Sequence, residues 1–244
     1  PGADTIAYSG YSRVARLNPN TNVLATSNYN VPKALKASLT WQHAFFGDYN
    51  TMVSMFYSGH SGLPYTWVFG NDANGDGIGG WDPVYIPSAN DPKVTYVAGT
   101  SQQVIQQFQN FLASDAYLSR HRGQVANRNG DRTAWVNELD MSFSQEVPGI
   151  FKGNKGVLRL DVYNVLNLLN SSWGQQRNTG QYPTRILANY AGVNAQGQYV
   201  YSLPTDKGGV NYQPQQLQTY DGGFYDPSRV VSRWSAMVTL RYTF

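Results

Sequence analysis

The last twelve residues of the chain constrain its fold most, because apolar side chains occupy every second position there. The apolar set consists of Trp234, Ala236, Val238, Leu240, Tyr242 and Phe244. The positions between them, 235–243, are mostly polar. Since successive side chains of a strand point to opposite faces of its sheet, residues 233–244 predict a strand with one apolar face.

The length of this strand and its aromatic ends are typical of a strand in a transmembrane β-barrel. From Trp234 to Phe244 it covers about 33 Å, or about 25 Å of membrane height when it is tilted by about 40°. Only 14% of the residues are charged, against about 25% in an ordinary soluble domain. The sequence contains no run of about 20 apolar residues, so it predicts no membrane-spanning helix.

Other features of the sequence narrow the class of protein. The absence of cysteine fits an envelope protein that does not depend on disulfides. A net charge of +3 gives no argument for a nucleic-acid partner. No phosphate loop, nucleophile motif or cofactor fingerprint occurs, so we expect no enzymatic activity and no cofactor other than the calcium ion considered below.

Alternation predicts four more strands, and the connections between the strands alternate in length. The predicted strands are 34–45, 49–58, 134–147, 157–166 and 233–244. The connections 46–48 and 148–156 are short, whereas 59–133 and 168–226 are very long. With the C-terminus on the periplasmic side, both short connections become periplasmic turns and both long ones extracellular loops, as in outer-membrane barrels.

The predicted fold is therefore all-β, a transmembrane antiparallel β-barrel with long extracellular loops. Within these loops, residues 101–112 predict a short amphipathic helix with Ser101 as its N-cap, and residues 198–203 a short strand. Five strands cannot close a barrel, because the smallest barrels have about eight. We expect residues 1–244 to be the C-terminal portion of one barrel domain that continues N-terminal of Pro1.

A set of short motifs occurs in a fixed order along the chain. The motifs are NVPK at 30–33, SGHSGLPY at 58–65, NDANGDG at 71–77, PVYIP at 83–87, NELD at 137–140 and DVYNVLNLLN at 161–170. In this order, and with Phe244 at the end, they resemble the C-terminal barrel region of TonB-dependent outer-membrane receptors of the Oar-like group. The resemblance covers residues 30–244.

This resemblance implies an uptake protein of the bacterial outer membrane with a 22-stranded barrel. An N-terminal plug, absent from this sequence, would be displaced by the TonB complex after substrate binds outside. Phe244, Tyr242 and Leu240 resemble the sorting signal read by the barrel-assembly machinery. Outer-membrane lipid and lipopolysaccharide, and a surface lipoprotein or other outer-membrane subunits, are the further partners that the resemblance implies. The substrate is not identified.

Residues 72–77 match the first half of a calcium-binding loop. Asp72, Asn74 and Asp76 supply oxygen ligands at positions one, three and five, and Gly77 stands at position six. Pro83 occupies position twelve, where a glutamate is expected, with Asp82 directly before it. The alternative is a turn in which Asn and Asp side chains cap the backbone.

Three other groups are candidate sites, and each also has a structural interpretation. Trp67, Trp81 and Trp173, with the loop tyrosines Tyr190 and Tyr199, either contact substrate or pack the loops together. Arg120 and Arg122 either contact an anionic substrate or lipopolysaccharide phosphate, or are solvated loop charges. Glu138, Asp140, Arg159 and Asp161 are predicted to line the barrel lumen.

Two alternative functions remain open at the level of sequence. A self-contained small outer-membrane pore or adhesin would need additional strands inside the two long connections. A soluble all-β glycan-binding module would need no membrane, and its loop at residues 72–77 could be stiffened by calcium.

Overall fold

The computed structural model describes residues 13–180, 182–220 and 232–244, which form two compact units. Residues 31–62, 133–178, 218–220 and 232–244 form what we call the sheet unit. Residues 13–30, 63–132, 179–180 and 182–217 form what we call the insertion unit. Most of the insertion unit comes from the two connections that the sequence predicts as extracellular loops, so these connections carry a fold of their own.

The sheet unit contains one five-stranded antiparallel sheet, which confirms the all-β fold. Its strands are β1 (Ala34–Phe46), β2 (Tyr49–His60), β8 (Val136–Pro148), β9 (Lys155–Tyr163) and β14 (Ser235–Thr243). Among these five strands, each pairs with the one that follows it in the sequence, so the order across the sheet is β1, β2, β8, β9, β14. All five predicted strands are present.

The boundaries of all five strands differ from the prediction by one to three residues. The predicted strand 157–166 ends at Tyr163, because Asn164 adopts a left-handed conformation with φ of 52°. Its side chain accepts a hydrogen bond from the Asn167 amide and thereby caps the short helix α3 (Val165–Leu169). The predicted strand 134–147 begins two residues later, at Val136.

The insertion unit is built on a second five-stranded sheet, in which strands from distant parts of the chain meet. Its strands, in order across the sheet, are β5 (Val94–Tyr96), β12 (Tyr199–Ser202), β11 (Thr184–Val193), β3 (Pro64–Phe69) and β7 (Asp131–Arg132). Strands β3 and β11 pair in parallel, as do β5 and β12. Strand β12 confirms the strand predicted at residues 198–203.

Two helices cover this mixed sheet. Helix α1 (Gln102–Ser114) begins after Ser101, whose hydroxyl accepts a hydrogen bond from the Val104 amide, as the sequence predicts. Its apolar side chains Val104, Phe108 and Leu112 are buried. Helix α2 (Ala116–Arg120) is capped by Asp115. None of the helices in the described residues is long and apolar enough to cross a bilayer.

The remaining strands are short pairs. Strands β4 (Tyr85–Ile86) and β6 (Gln124–Val125) pair in the insertion unit, and β10 (Arg177–Asn178) and β13 (Gln218–Thr219) pair in the sheet unit. Within the described residues every sheet is open, and the sheet unit ends on two strand edges, β1 and β14.

The core of the insertion unit is aromatic. Trp67, Phe108 and Tyr201 are fully buried, and rings pack edge to face between Trp67 and Phe111 and between Phe69 and Tyr201. Such contacts contribute about 0.5–1.5 kcal/mol beyond the area that they bury. The high aromatic content of the predicted loops therefore has a packing function here.

A buried arginine organises this core. Arg185 of β11 lies opposite Trp67 of β3 in the parallel register, and its guanidinium carbon stands 4.4 Å from the centre of the Trp67 ring. Its Nε donates to the Gln215 carbonyl at 2.8 Å, and one terminal nitrogen donates to the Tyr65 hydroxyl at 3.3 Å. The Tyr65 hydroxyl in turn donates to Asp131 of β7 at 2.7 Å. One polar network thus joins three strands.

Candidate functional site

The sheet unit carries one face made of apolar side chains, which we call the apolar face. Trp41, Val53, Phe143, Leu160 and Val238 stand side by side in register across all five strands. This row crosses the whole sheet. The alternation read from the sequence therefore becomes one continuous surface.

The apolar face is exposed in the described structure. Leu39 is 60% exposed, Val238 69% and Leu240 76%. Other large apolar residues of the sheet that are exposed include Leu35, Trp41, Phe45, Phe143, Leu158, Leu160 and Trp234. A contiguous exposed apolar surface of this kind marks an interaction with a membrane or with another protein.

The residues predicted to form the sorting signal lie at the end of β14. Leu240 and Tyr242 are exposed on the apolar face, and Phe244 follows the strand with 97% of its surface exposed. The Tyr242 hydroxyl accepts hydrogen bonds from the Ile150 amide at 3.2 Å and from Nδ2 of Asn154 at 3.0 Å. Tyr242 thereby ties β14 to the turn between β8 and β9.

The opposite face of the sheet carries the predicted lumen residues. Arg159 and Asp161 form an ion pair at 2.7 Å, and Asp140 accepts a hydrogen bond from the Asn164 amide at 2.8 Å. Glu138 lies opposite Ser58 on the neighbouring strand. All four predicted lumen residues therefore lie on the face turned away from Val238 and Leu240.

A recess with polar and apolar lining lies around Asp161. The Asp161 carboxylate is only 4% exposed, and its Oδ2 atom has no hydrogen-bond partner within the described residues. Thr40, Ser54 and Ser142 line the recess beside it. One face of the sheet is therefore mainly apolar, and the other carries the charged side chains.

The structure places the predicted tryptophan contacts in different settings. Trp67 is fully buried and Trp81 is 9% exposed, so both rings pack in the interior of the insertion unit and offer almost no surface to a substrate. Packing, the alternative interpretation of these rings, accounts for both. Trp173, in the sheet unit, is 53% exposed.

The predicted basic residues are held by their own chain. Nε of Arg120 donates to the Ala116 carbonyl one helical turn earlier. The Arg122 guanidinium donates to the Pro87 carbonyl at 2.8 Å and to the side-chain oxygen of Gln109 at 2.7 Å. Burial lowers the pKa of Arg122, and its contacts give it a structural role in joining α1 to the segment before it.

The predicted calcium loop is closed by hydrogen bonds between its side chains and its backbone. Asp72 accepts from the amides of Gly75 and Gly77, each at 2.7 Å, and the bond from Gly77 lowers its pKa most strongly. The side chains of Asn74 and Asp76 each accept from the amide two residues further on. This is the capped turn that the sequence offers as the alternative, and calcium binding stays a prediction.

A cavity of the insertion unit brings together residues that the sequence does not group. We call it the tyrosine cavity; its volume is about 130 Å³. Its lining includes Phe69, Asn74, Asp82, Tyr85, Tyr190 and Tyr199. This volume is smaller than the range of about 300–1,000 Å³ typical of sites for drug-sized ligands, so the cavity suits only a small group.

The rings of the tyrosine cavity come from four strands. Tyr85 of β4 and Tyr199 of β12 stand 6.1 Å apart between ring centres, and Phe69 of β3 and Tyr190 of β11 stand 5.7 Å apart. Tyr85 donates to Asp91, and burial together with this bond raises the pKa of Tyr85 to about 12. In the sequence Tyr190 and Tyr199 are recognisable only as loop aromatics, and nothing marks Tyr85, which lies in a two-residue strand.

Asp82 is the acidic residue of the cavity. It is 2% exposed, and its Oδ2 accepts a hydrogen bond from the Ala73 amide at 2.7 Å. Burial raises the pKa of Asp82, and the nearby carboxylates of Asp76 and Asp72 act in the same direction. The residue predicted as a distant calcium ligand thus lies in the wall of an aromatic cavity.

Comparisons with family models, with curated proteins and with solved structures find no significant match to this chain. A proposal for the function of this chain therefore depends on the apolar face, the tyrosine cavity and the ordered motifs of the sequence.

Proposed function

We propose that the sheet unit is a segment of an outer-membrane β-barrel and that the chain serves TonB-dependent uptake of a substrate. The observation that carries the membrane assignment is the exposed apolar face of five long antiparallel strands. The insertion unit, which derives from the predicted extracellular loops, would capture the substrate outside the cell.

The energetics favour lipid as the environment of the apolar face. Full burial of one leucine, valine or phenylalanine side chain contributes about 1.5–3 kcal/mol. A face with this many exposed apolar residues would gain on the order of 10–30 kcal/mol on transfer into hydrocarbon. If the apolar face stayed in water, the protein would not obtain this stabilisation and would tend to aggregate.

The strand lengths agree with this assignment. Strands β1 and β8 have 13 residues each, β2 has 12, and β9 and β14 have nine. A tilted strand needs about 9–11 residues to span a bilayer. In lipid the outer edges of β1 and β14 also need partners, because each unpaired backbone group costs several kcal/mol. The proposal therefore requires further strands to complete the barrel.

Transport driven by the TonB complex is the more specific part of the proposal. It is supported by the ordered motifs over residues 30–244 and by the compact insertion unit, which gives the loops a rigid surface for capture. The intact mass of the polypeptide in detergent-extracted membranes tests this part. A polypeptide several times longer than 244 residues supports the transporter, and one of this length excludes it.

Single-cysteine variants test the membrane assignment, because the chain contains no cysteine of its own. Val238→Cys and Thr239→Cys are neighbours on β14 that lie on opposite faces. In native membranes, a spin label at position 238 should be relaxed more strongly by oxygen, which concentrates in lipid. A label at position 239 should be relaxed more strongly by a water-soluble nickel complex.

The pair Phe143→Cys and Ser142→Cys repeats this measurement on β8, in the middle of the sheet. The same reversal between neighbours is expected there. Equal relaxation by the nickel complex at all four positions would contradict the membrane assignment and would favour the soluble binding module.

A further inference from the structure

The tyrosine cavity contains a buried carboxylate without a cationic partner. No lysine, arginine or histidine of the described residues forms an ion pair with Asp82, although the residue is 2% exposed. Buried charges in proteins are normally paired or coordinated, because removing a charge from water is costly. We propose that the tyrosine cavity binds a small organic cation, an ammonium or guanidinium group on an apolar body. This proposal goes beyond the proposed function, since it does not require the sheet unit to lie in a membrane.

The charge around the cavity favours a cation. The carboxylates of Asp72 and Asp76 lie close enough to affect Asp82. Asn74, which also lines the cavity, presents an amide between them in the sequence. An anionic ligand would meet this negative potential in a partly dry site, where charges are weakly screened. A cation would be attracted by all three carboxylates.

The walls of the cavity supply the second element of cation recognition. Tyr85, Tyr190 and Tyr199 contribute three electron-rich rings, and Tyr199 is 41% exposed at the surface. Cations bind over such ring faces, with a gain of about 0.5–1 kcal/mol at exposed sites and about 2 kcal/mol when desolvated. The ammonium of Lys93 already stands 5.7 Å from the centre of the Tyr85 ring. The Tyr85 ring thus already holds a cation of the chain itself, which leaves Tyr190 and Tyr199 as the rings for a ligand.

The apolar part of the lining defines the rest of the ligand. Phe69 and Pro83 are buried in the cavity wall, and Val125 and Ala73 add further apolar surface. A fully hydrated metal ion gains nothing from such walls. An organic cation with a hydrocarbon body can place its charge near Asp82 and its apolar part against these side chains.

The test compares charged probes with uncharged molecules of the same shape. The cations are choline and N-acetyl-lysine amide, and their neutral matches are 3,3-dimethyl-1-butanol and N-acetyl-norleucine amide. Binding to the full chain in detergent is measured by saturation-transfer NMR with titration. At least one cation should bind about tenfold or more tightly than its neutral match, which corresponds to one charge interaction of about 1.4 kcal/mol. Equal binding within both pairs, or no binding of either cation, overturns the proposal.

Two variants locate the site. Asp82→Asn should abolish the preference for the cation, whereas Asp48→Asn, an exposed carboxylate in the sheet unit, should leave it unchanged. Tyr199→Leu, at a half-exposed ring that can be replaced without opening the core, should weaken cation binding about threefold to fivefold. Near-ultraviolet circular dichroism checks that each variant is folded. A wild-type preference for the cation in both Asp82→Asn and Tyr199→Leu would place binding elsewhere and refute the assignment.

Discussion

Replacement of Arg185 by methionine should destabilise the insertion unit while leaving the sheet unit intact. Arg185 is 9% exposed, and its guanidinium stacks on Trp67 while donating to the Gln215 carbonyl and the Tyr65 hydroxyl. Methionine has a similar length and is apolar, so it fills much of the same space. The substitution therefore removes mainly the charge and the hydrogen bonds.

The expected cost follows from these contacts. A desolvated cation–π contact contributes about 2 kcal/mol, and a charged hydrogen bond about 1.5–3 kcal/mol. The longer bond to Tyr65, at 3.3 Å, adds less. Methionine no longer has to be stripped of the water that surrounds a guanidinium, which offsets part of the loss. The net cost should be about 3 kcal/mol.

Hydrogen exchange measured by mass spectrometry resolves the effect by region. A loss of about 3 kcal/mol corresponds to exchange about 150-fold faster wherever local opening limits it. Peptides from β3 and β11, which pack on the guanidinium, should show this change. Peptides from β8 and β9 of the sheet unit should exchange as in the wild type. Arg120→Met is the matched control, because within the described residues this exposed arginine bonds to the carbonyl of Ala116 in its own helix.

One result would refute the reasoning about this core. Hydrogen exchange in β3 and β11 could be as slow in Arg185→Met as in the wild type. The buried cation would then make no net contribution to the stability of the insertion unit, as found for some buried ion pairs. The aromatic packing alone would then hold the two strands together. The exchange rates of Arg185→Lys should lie between those of the wild type and Arg185→Met, because lysine keeps the charge but has no planar group to stack on Trp67.

Three further predictions concern individual contacts. Ser101→Ala removes the cap of α1 and should cost about 1 kcal/mol, measured as faster exchange of the first helical turn. Burial raises the pKa of Asp131, so the folded state holds its proton more tightly, and stability should fall as the pH rises above about 4, the pKa of an unperturbed aspartate. Asp131→Asn should flatten that part of the pH profile of the unfolding free energy. Gly62→Ala should reduce the yield of folded protein, because a Cβ atom there collides with the Thr133 backbone carbonyl.

The sheet unit could be predicted from the sequence because its determinants are local. Alternation along each strand and the short connections at 46–48 and 148–156 fix which strands pair and which face is apolar. The missed detail at the end of β9 depends on one residue, Asn164, whose left-handed conformation no periodicity reveals. The cap at Ser101 was predictable because its hydrogen bond spans only three residues.

The insertion unit could not be predicted in the same way. Strand β3 consists of six buried residues without alternation, and its partner β11 lies more than 100 residues further along the chain. Trp67 resembles a surface aromatic in the sequence because nothing nearby indicates that Arg185 will cover it. The tyrosine cavity depends on the same distant pairing, so no local motif joins Tyr85 to Tyr199.

The parallel pairing of β3 with β11 also limits how this protein can be recombined. Thr66 and Val68 pair with Thr184 and Ile186, so each of the two segments supplies half of one hydrogen-bonded ladder. A chimera that exchanges only one segment with another sequence would leave a strand edge without its matched partner. Residues 63–132 and 179–217 therefore have to be exchanged together. A graft that is meant to change ligand preference has to transfer both segments from the same donor protein.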